Sequence, residues 1–588
     1  MQIHTKKKIF VNNNAVKKIC DYIDNANYQA AKNICNEIIL TDPDNFIANY
    51  YLGVITYKQG QLNLFINYVS KAVSIFHSGE ADEQDIKYFK ELAKILISLK
   101  QYDLAELCLK VYLDIAKEDQ ASTFDMGVIF MQRFEYDKAL HWFLKSKKFN
   151  SSFQLLINIA HSLYFLGRFN EAESYLQKAI KKSPKEWHGY QNLGMLMLNQ
   201  KRTDEAIKYF KLAIKASPYC DNAYYSLSEI PSYIKNPQNR KNLISTILTL
   251  INDVLIDRTG LINLNFALGR LYRRDNQFDK EFECYLRVSK IKSETSTYNI
   301  DYYLSGAQFH KKIFTADFFR KKSSYGHQSN KLIFIVGTPR SSTSLTEQIL
   351  ASHSKIHGIG ETTYIARISR STKPLELKAT KQVISYPQLL DYLSKEEIYN
   401  LAETYLDRIR EKDFPEIKKI IDKMPENYSN IGFIKLIFPN AIIINCKRHP
   451  IASIFSMFSN NLDHNHFPYS IIDLAKYYKC YIDIMKHWHK VLPGQIYDSY
   501  YDDLVINTEQ KSKDLIKLCG LEWEDQCLNF YNSDRPVLTL SYSQVRQPIY
   551  QDALNRWKLY EKYLEPAKEI LRDEITEYEE AVKQFEKK

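Results

Sequence analysis

The feature that most restricts the fold of this chain is a period of about 34 residues in its first half. Amphipathic stretches such as "FNEAESYLQKAIKKSP" and "TDEAIKYFKLAIKASP" recur there, each with a small residue three positions after its start. Four of these small residues are spaced by 34, 33 and 34: Ala105, Ala139, Ala172 and Ala206. A regular period of this length predicts stacked helix pairs, each burying its apolar face against its neighbours.

From about residue 20 to about 300 the chain resembles a tetratricopeptide-repeat solenoid. Pro184 and Pro218, also 34 apart, are placed to end helices, and the stretch from Phe266 adds a further unit. We therefore predict an N-terminal segment over 1–19 and an all-α solenoid over 20–307, with most aromatic side chains packed between helices. Since solenoids form extended concave surfaces, the resemblance implies a protein or peptide partner bound through the repeats.

Composition narrows the class of protein. A chain of 588 residues is too long for one core, and the net charge of +11 is mild over that length, so we expect anionic ligands and no nucleic acid. Nine cysteines without a CxxC pair indicate reduced thiols and no structural zinc. No apolar run reaches the roughly 18 residues of a membrane span. We therefore expect a soluble, cytoplasmic protein with no membrane span.

The pattern changes in the second half. The basic stretch 308–330 shows no sustained helical period and is interpreted as a connector. Over 331–588, short apolar runs such as "LIFIV" and "AIIINC" alternate with helical stretches. Buried strands that lead into helices predict an α/β domain with a central parallel sheet, and ligands of such sheets bind at the carboxyl ends of the strands.

The stretch "IFIVGTPRSSTSLTEQIL" has the form of a phosphate-binding loop without its lysine. Amides at the start of a helix can hold an anion, and Arg340 would add a charged fork. The hydroxyl residues of the loop complete the candidate site: Ser341, Ser342, Thr343 and Ser344. Without the lysine and an evident metal-binding Asp, the loop suits a less charged group than a triphosphate with its metal.

A second anion site is indicated by "INCKRHPIASIFSMF". Arg448 follows a strand, and Ser456 lies eight residues later inside the next helix, so the two side chains can converge on a second phosphate. Taken alone, a strand-end arginine more often forms a surface ion pair.

Taken together, the two sites resemble those of sulfotransferases that use 3′-phosphoadenosine-5′-phosphosulfate, and in particular the tyrosylprotein and tetratricopeptide-repeat sulfotransferases. The resemblance covers about 330–560 and includes "DKMPENYSNIGFIKLIFPNAIIINCKRHP" and "SQVRQPIYQDALNRWKLYEKYL". It implies that the loop holds the 5′-phosphosulfate and that Arg448 and Ser456 hold the 3′-phosphate. Tyr501, the segment 541–550 and Arg556 match further cofactor contacts. The resemblance implies no metal, and "DHNH" (463–466) is interpreted as a solvated loop.

The same resemblance implies the catalytic groups. Glu361, in "GIGE", matches the general base that takes the acceptor proton. Lys423, in "DKMP", matches the lysine that stabilises charge on the bridging oxygen, and Ser541 matches a second group there. His353 is a rival base, because histidine serves in other branches of these enzymes.

Three positions depart from the family pattern. Ser342 replaces a loop glycine, and Asn460 replaces an arginine that would give the 3′-phosphate a third contact. Thr363 replaces an arginine that helps to hold acidic peptides, so the acceptor stays open between peptide tyrosine, carbohydrate and a small hydroxyl compound. We predict a sulfotransferase whose repeats recruit the acceptor. The alternatives are a non-catalytic scaffold with a degenerate nucleotide-binding domain and a kinase, which the missing lysine disfavours.

The prediction extends to a truncated chain. We predict that a fragment from about residue 305 still binds the cofactor but loses much of its rate toward its native acceptor, because the repeats recruit that acceptor. If the solenoid instead covers an apolar face of the catalytic domain, the same fragment aggregates or loses cofactor binding.

Overall fold

The structure is a computed structural model that describes residues 13–77, 86–117, 119–372, 375–376, 383–462, 467–533, 545–549 and 551–585. The chain divides into two compact units, Met1–Ser183 and Pro184–Lys588, each described by itself. The predicted domain limits at 19, 307 and 330 stay predictions.

The first unit consists of helices that pack in consecutive pairs. Their bounds are α1 (Asn13–Asp24), α2 (Tyr28–Thr41), α3 (Phe46–Lys58), α4 (Leu62–His77), α5 (Ile86–Ser98), α6 (Tyr102–Ala116), α7 (Gln120–Gln132), α8 (Tyr136–Lys147), α9 (Phe153–Phe165) and α10 (Phe169–Lys182). The alanines of the repeat pattern, Ala105, Ala139 and Ala172, are fully buried, as the predicted close packing of paired helices requires.

The turn inside each helix pair repeats as well. One residue per turn has a left-handed backbone with φ between 55° and 73°: Ala26, Gly60, Lys100, Phe134 and Gly167. Glycine adopts this conformation at least cost, yet three of the five turns use other residues. The departures from the repeat consensus therefore leave the turn geometry intact.

Close approach of paired helices is most evident at Gly127. A Cβ atom there would lie 2.4 Å from the ring of Phe143 on the partner helix. The second unit repeats the arrangement, where a Cβ on Gly194 would lie 2.6 Å from Phe210. In each of these two helix pairs an aromatic ring thus packs directly against a glycine of the partner helix.

The second unit begins with helices of the same kind and continues into an α/β domain. Its helices are α11 (Trp187–Asn199), α12 (Thr203–Ala216), α13 (Asp221–Glu229), α14 (Pro231–Lys235), α15 (Pro237–Ile251), α16 (Arg258–Arg274), α17 (Phe278–Ser293), α18 (Ile300–Ile313), α19 (Ala316–Lys322), α20 (Thr343–Ala351), α21 (Tyr364–Arg370), α22 (Lys395–Arg408), α23 (Ile431–Ile437), α24 (Pro450–Phe458), α25 (Ile471–Val491), α26 (Tyr501–Ile506), α27 (Thr508–Leu518), α28 (Asp552–Asn555), α29 (Glu561–Ile570) and α30 (Arg572–Phe585). Short 3₁₀ turns include Pro425–Asn430 and Arg556–Tyr560.

The strands are β1 (Leu332–Gly337), β2 (Ile356–Gly358), β3 (Leu375–Glu376), β4 (Val383–Ile384), β5 (Lys419–Lys423), β6 (Ile442–Lys447) and β7 (Ile496–Tyr500). Five of them form a sheet in the order β2-β5-β1-β6-β7, and every pairing in it is parallel. β3 and β4 form a separate antiparallel pair. The predicted all-α repeats followed by a parallel α/β sheet are confirmed.

The central strand β1 is buried on both faces. Leu332, Phe334 and Val336 belong to one hydrophobic cluster, whereas Ile333 and Ile335 belong to the cluster on the other face. This alternation explains the continuous apolar run in the sequence, because side chains of a strand point to opposite faces in turn. All carboxyl ends of the five strands lie at one edge, where the predicted ligand groups follow.

The stretch 308–330 differs from the prediction of a connector without helical period. It contains the end of α18 and the whole of α19, with Thr315 capping α19 through a hydrogen bond to the amide of Phe318. Phe314 and Phe318 are buried in the core. These two apolar residues, four apart, form the inner face, and the basic residues around them concealed that spacing.

The last repeat shares a core with the α/β domain. Phe266, Phe282, Tyr285 and Val288 of α16 and α17 are each at most 3% exposed and belong to the same cluster as the sheet residue Phe334. Among the described helices, none is both long and apolar enough to cross a membrane.

Candidate active site

The loop after β1 has a strained backbone. Gly337 has φ of 150°, and a Cβ there would lie 2.6 Å from the carbonyl oxygen of Cys446 on the neighbouring strand. Arg340 and Ser342 have φ of 70° and 82°, the left-handed region that glycine prefers. Ser342 therefore adopts the conformation of the glycine it replaces, at a cost of roughly 1 kcal/mol.

The loop leads directly into α20. Ser342 precedes the first helical residue, and Thr343 and Ser344 form the first turn, both mostly buried. Ser341 is also buried and donates a hydrogen bond of 2.7 Å to the carbonyl oxygen of Thr338. The first amides of α20 thus begin where the loop ends, which is the arrangement that binds an anion at a helix N-terminus.

The two predicted anion sites lie next to each other. Arg340 donates from Nε to Ser456 Oγ at 3.2 Å, and Arg448 donates from Nη1 to the carbonyl oxygen of Arg340 at 3.0 Å. Ser456 is on α24 and is 9% exposed. Because β1 and β6 are adjacent parallel strands, the loops that follow them meet at one edge of the sheet. Residues more than 100 positions apart in sequence are therefore brought together.

Arg448 is held from several sides. Its Nη2 donates to the carbonyl oxygen of Ala553 at 2.9 Å, and its guanidinium lies 4.9 Å from the centre of the Tyr501 ring. The hydroxyl of Tyr478 donates to the Arg448 carbonyl oxygen at 2.9 Å. Arg448 Nε is buried and has no hydrogen-bond partner among the described residues. A donor held in this way fits an anion.

Glu361 and Lys423 form an ion pair. Lys423 ends β5 and its side chain is fully buried, whereas the Glu361 side chain is 46% exposed. A second carboxylate, Glu347 on α20, lies 3.9 Å from Lys423 Nζ and is almost fully buried. Lys423 thus lies at the carboxyl end of β5, between the buried carboxylate of Glu347 and the half-exposed carboxylate of Glu361.

The buried carboxyl group of Asp422 is hydrogen-bonded to Thr362, the residue next to Glu361. Asp422 accepts hydrogen bonds of 2.8 Å from the hydroxyls of Thr362 and Tyr405. Burial raises the pKa of Asp422 to about 7. The Tyr405–Asp422–Thr362 chain therefore fixes the backbone that carries Glu361 to the strand that carries Lys423.

His353, the rival base, is engaged elsewhere. It is 4% exposed, its Nδ1 accepts a hydrogen bond of 3.0 Å from the Lys355 amide, and its Nε2 lies 2.9 Å from the Glu522 carbonyl oxygen. Because Nδ1 is an acceptor, Nε2 is the donor. Both ring nitrogens thus serve the packing of the loop after α20, and Glu361 as the base stays a prediction.

Arg556 contacts the last repeat. Its guanidinium pairs with Glu281 of α17 at 3.1 Å and lies 5.1 Å from the centre of the Phe455 ring, one residue before Ser456. Glu281 is fully buried and also accepts hydrogen bonds from the hydroxyls of Tyr285 and Tyr560. Arg556 is therefore placed near the Ser456 helix by a carboxylate that the repeats provide.

The remaining predicted residues are placed as follows. Asn460 lies two residues beyond the end of α24 and donates to the carbonyl oxygen of Ser456 at 2.8 Å. Thr363 is the residue before α21. Ser541, the positions 541–544 and 550 of the segment 541–550, and the "DHNH" stretch 463–466 lie outside the described residues. In the part of the chain that the structure describes, no group of three or more His, Cys, Asp or Glu side chains could hold a metal.

Sequence reasoning missed several residues at this edge of the sheet. These are Glu347, Asp422 and Glu281. Asp422 directly follows two isoleucines in "IIDKMP", and this contrast was an available signal, because buried carboxylates are rare unless they are paired or hydrogen-bonded. Glu281 lies among charged residues in "FDKEFE", so the sequence offered no such signal for it.

Comparison with known proteins agrees with this geometry. Residues 333–525 match the model of the sulfotransferase family, and residues 157–219 match a tetratricopeptide-repeat model. The chain is 29% identical over 414 residues to an uncharacterized protein of Aquifex aeolicus, covering 70% of this chain and 53% of that protein. It is 25% identical to a protein-tyrosine sulfotransferase of Drosophila melanogaster, covering 38% and 46%, and 24% identical to human protein-tyrosine sulfotransferase 1, covering 39% and 64%.

In each of these comparisons the chain spans less than two thirds of its relative's length. Similar solved structures include a sulfotransferase domain of the Synechococcus olefin synthase, at 19% identity and a TM-score of 0.30 over 40% of this chain and 89% of that one. A repeat protein of Cytophaga hutchinsonii has 15% identity and a TM-score of 0.33 over 42% and 99%. By the two family models, the chain contains tetratricopeptide repeats over 157–219 and a sulfotransferase-family domain over 333–525.

Proposed function

We propose that the protein transfers a sulfuryl group from 3′-phosphoadenosine-5′-phosphosulfate to a hydroxyl acceptor. The observation that carries this proposal is the meeting of Arg340, Arg448 and Ser456 at one edge of the sheet. The loop and the helix start of α20 supply amides for one anionic group, and Arg448 with Ser456 supplies donors for a second. A ligand with two separate anionic groups fits this arrangement better than a single phosphate does.

The phosphosulfate, when bound, supplies an activated sulfuryl group. Glu361, a carboxylate in its ion pair with Lys423, takes the proton of the acceptor hydroxyl while the oxygen–sulfur bond forms. Lys423, fully buried at the end of β5, stabilises the charge left on the phosphate oxygen as the old oxygen–sulfur bond breaks. The loop amides and Arg340 hold the donor end in line with the acceptor.

A protein tyrosine is the first acceptor to test, since several relatives are protein-tyrosine sulfotransferases. We further propose that the repeats recruit the acceptor protein. Helix pairs of the first unit offer an extended surface, and a docked acceptor has a raised effective concentration near Glu361.

The decisive experiment measures nucleotide binding by calorimetry in the presence of a magnesium chelator. Adenosine 3′,5′-bisphosphate is expected to bind, and Arg448→Ala is expected to weaken it much more than it weakens adenosine 5′-phosphate. Equal losses for both ligands would remove Arg448 from the 3′-phosphate site. A matched control is Arg240→Ala. Arg240 lies on α15 and forms an ion pair with Asp275 at 2.8 Å, so this variant removes a paired arginine that is not part of the candidate site.

Turnover is tested separately with sulfur-labelled donor and a cell lysate, followed by identification of the labelled acceptor. Transfer to tyrosine residues would support the proposed acceptor. Nucleotide binding without any transfer would favour the alternative of a non-catalytic scaffold.

A further inference from the structure

Arg270 of the last repeat is held in a defined orientation by its neighbours. Its Nη2 donates to the Tyr225 hydroxyl at 2.7 Å and pairs with Glu229 at 2.9 Å. The guanidinium lies 4.2 Å from the centre of the Tyr225 ring. Arg270 is thus fixed by two side chains of α13, while its own helix, α16, belongs to the last helix pair.

The helix pair α16–α17 packs against α24, the helix that carries Ser456, and this contact is called the junction below. Phe282 and Tyr285 of α17 lie 5.5 and 6.4 Å from Phe458 of α24, measured between ring centres. The Tyr225 side chain is within electrostatic reach of the phosphate loop as well. Burial raises the pKa of the Tyr225 hydroxyl, and the positive charges of Arg270 and Arg340 oppose that rise. The helix pair that carries Arg270 thus packs against the same helix, α24, that receives a hydrogen bond from Arg340.

Guanidinium donors at this junction are left without acceptors. Nη1 of Arg270, Nε of Arg448 and Nε of Arg556 are all buried, and none has a hydrogen-bond partner among the described residues. A guanidinium group can only donate, so only an acceptor, and best an anion, can satisfy these atoms. They come from a repeat helix, a strand end and the 3₁₀ turn after α28.

The charged residues at the junction also indicate a site for an anion. Arg273, one turn beyond Arg270, has a lowered pKa because of its burial and the nearby charges of Arg556 and Arg270. Glu229 and Glu281 each pair with one of these arginines, Arg270 and Arg556. Positive charge is thus gathered around the Ser456 helix from both the repeats and the α/β domain.

We propose that Arg270 binds the 3′-phosphate of the nucleotide, so that the last tetratricopeptide repeat completes the cofactor site. The inference rests on the proposed function. It accounts for Asn460, which stands where an arginine was expected to give this phosphate a third contact and which donates instead to the carbonyl oxygen of Ser456. Arg270 supplies that contact from the repeats.

The test uses the full chain and compares two nucleotides, adenosine 3′,5′-bisphosphate and adenosine 5′-phosphate, by calorimetry. Arg270→Ala is expected to weaken the bisphosphate roughly tenfold or more, the scale of one lost charge-assisted hydrogen bond, and the monophosphate about twofold at most. Arg270→Lys keeps the charge and loses the fork, so an intermediate loss is expected. Arg240→Ala, a paired arginine on α15, is the matched control and is expected to leave both affinities unchanged.

The ratio of the two dissociation constants decides the matter. An unchanged ratio in Arg270→Ala, or an equal loss for both nucleotides, would overturn the inference. If Arg270→Ala does not fold, Arg270→Lys provides the same ratio and the same decision. A wild-type protein that binds neither nucleotide would refute the proposed function itself, whereas discrimination that the Arg270 variants retain would refute only the role of Arg270.

Discussion

A fragment that begins near residue 305 is expected not to fold, although the sequence suggests an independent catalytic domain there. The cut removes Phe266, Phe282, Tyr285 and Val288 from a core that they share with the sheet domain. Each is at most 3% exposed, and burying a side chain of this size contributes about 1.5–3 kcal/mol, or ~6–12 kcal/mol for the four. That sum is comparable to the whole stability of a typical domain, about 5–15 kcal/mol.

The cut also removes a buried charge. Arg556 loses its partner Glu281, and the hydroxyl of Tyr560 loses its acceptor. Both groups thus lose a partner that the full chain provides, and water has to replace it. The alternative in which the solenoid covers an apolar face of the catalytic domain is therefore the one that the structure favours.

The assay compares fragments 305–588 and 184–588 with the full chain. We expect 305–588 to aggregate, whereas 184–588, which follows the boundary between the compact units, elutes as a soluble species, melts cooperatively and binds adenosine 3′,5′-bisphosphate. A soluble 305–588 fragment with the melting temperature and nucleotide affinity of 184–588 would refute the reasoning. Against the native acceptor, 184–588 is expected to show a raised KM if the first repeats recruit it.

Three substitutions test the site further. Glu361→Gln should keep nucleotide affinity and lower turnover by roughly 10² or more, the scale of a lost general base; near-normal turnover would assign the base to another group. Burial raises the pKa of Asp422 to about 7, so between pH of about 4 and about 7 the unfolded chain releases this proton while the folded protein keeps it. The unfolding free energy of the wild type, relative to that of Asp422→Asn, should therefore fall over this range by about 4 kcal/mol in total. A difference in unfolding free energy that does not vary with pH would contradict this. Glu281→Gln should lower the unfolding free energy by about 2 kcal/mol, as measured by chemical denaturation, because Arg556 and the hydroxyl of Tyr560 lose a charged partner; no loss would show that the pair is not needed.

The repeat architecture and the α/β sheet could be predicted from the sequence because both depend on local periodicity. The 34-residue spacing requires stacked helix pairs, and the apolar run of β1 requires a strand buried on two faces. The loop at Arg340 and the strand-end positions of Lys423 and Arg448 followed from the same patterns. Helix α19 could not be predicted from such a pattern, because the buried Phe314 and Phe318 lie among basic residues that conceal their spacing.

By itself the sequence thus determined the two kinds of fold, the phosphate loop and the strand ends at which charged residues stand. The tertiary structure decided which of them meet: Arg340 with Ser456, Lys423 with Glu361, and Arg556 with Glu281. It also decided that the last repeat belongs to the same compact unit as the catalytic domain. The physical reason is that hydrophobic periodicity is encoded over tens of residues, whereas a buried charge acquires its partner only when distant helices and strands pack together.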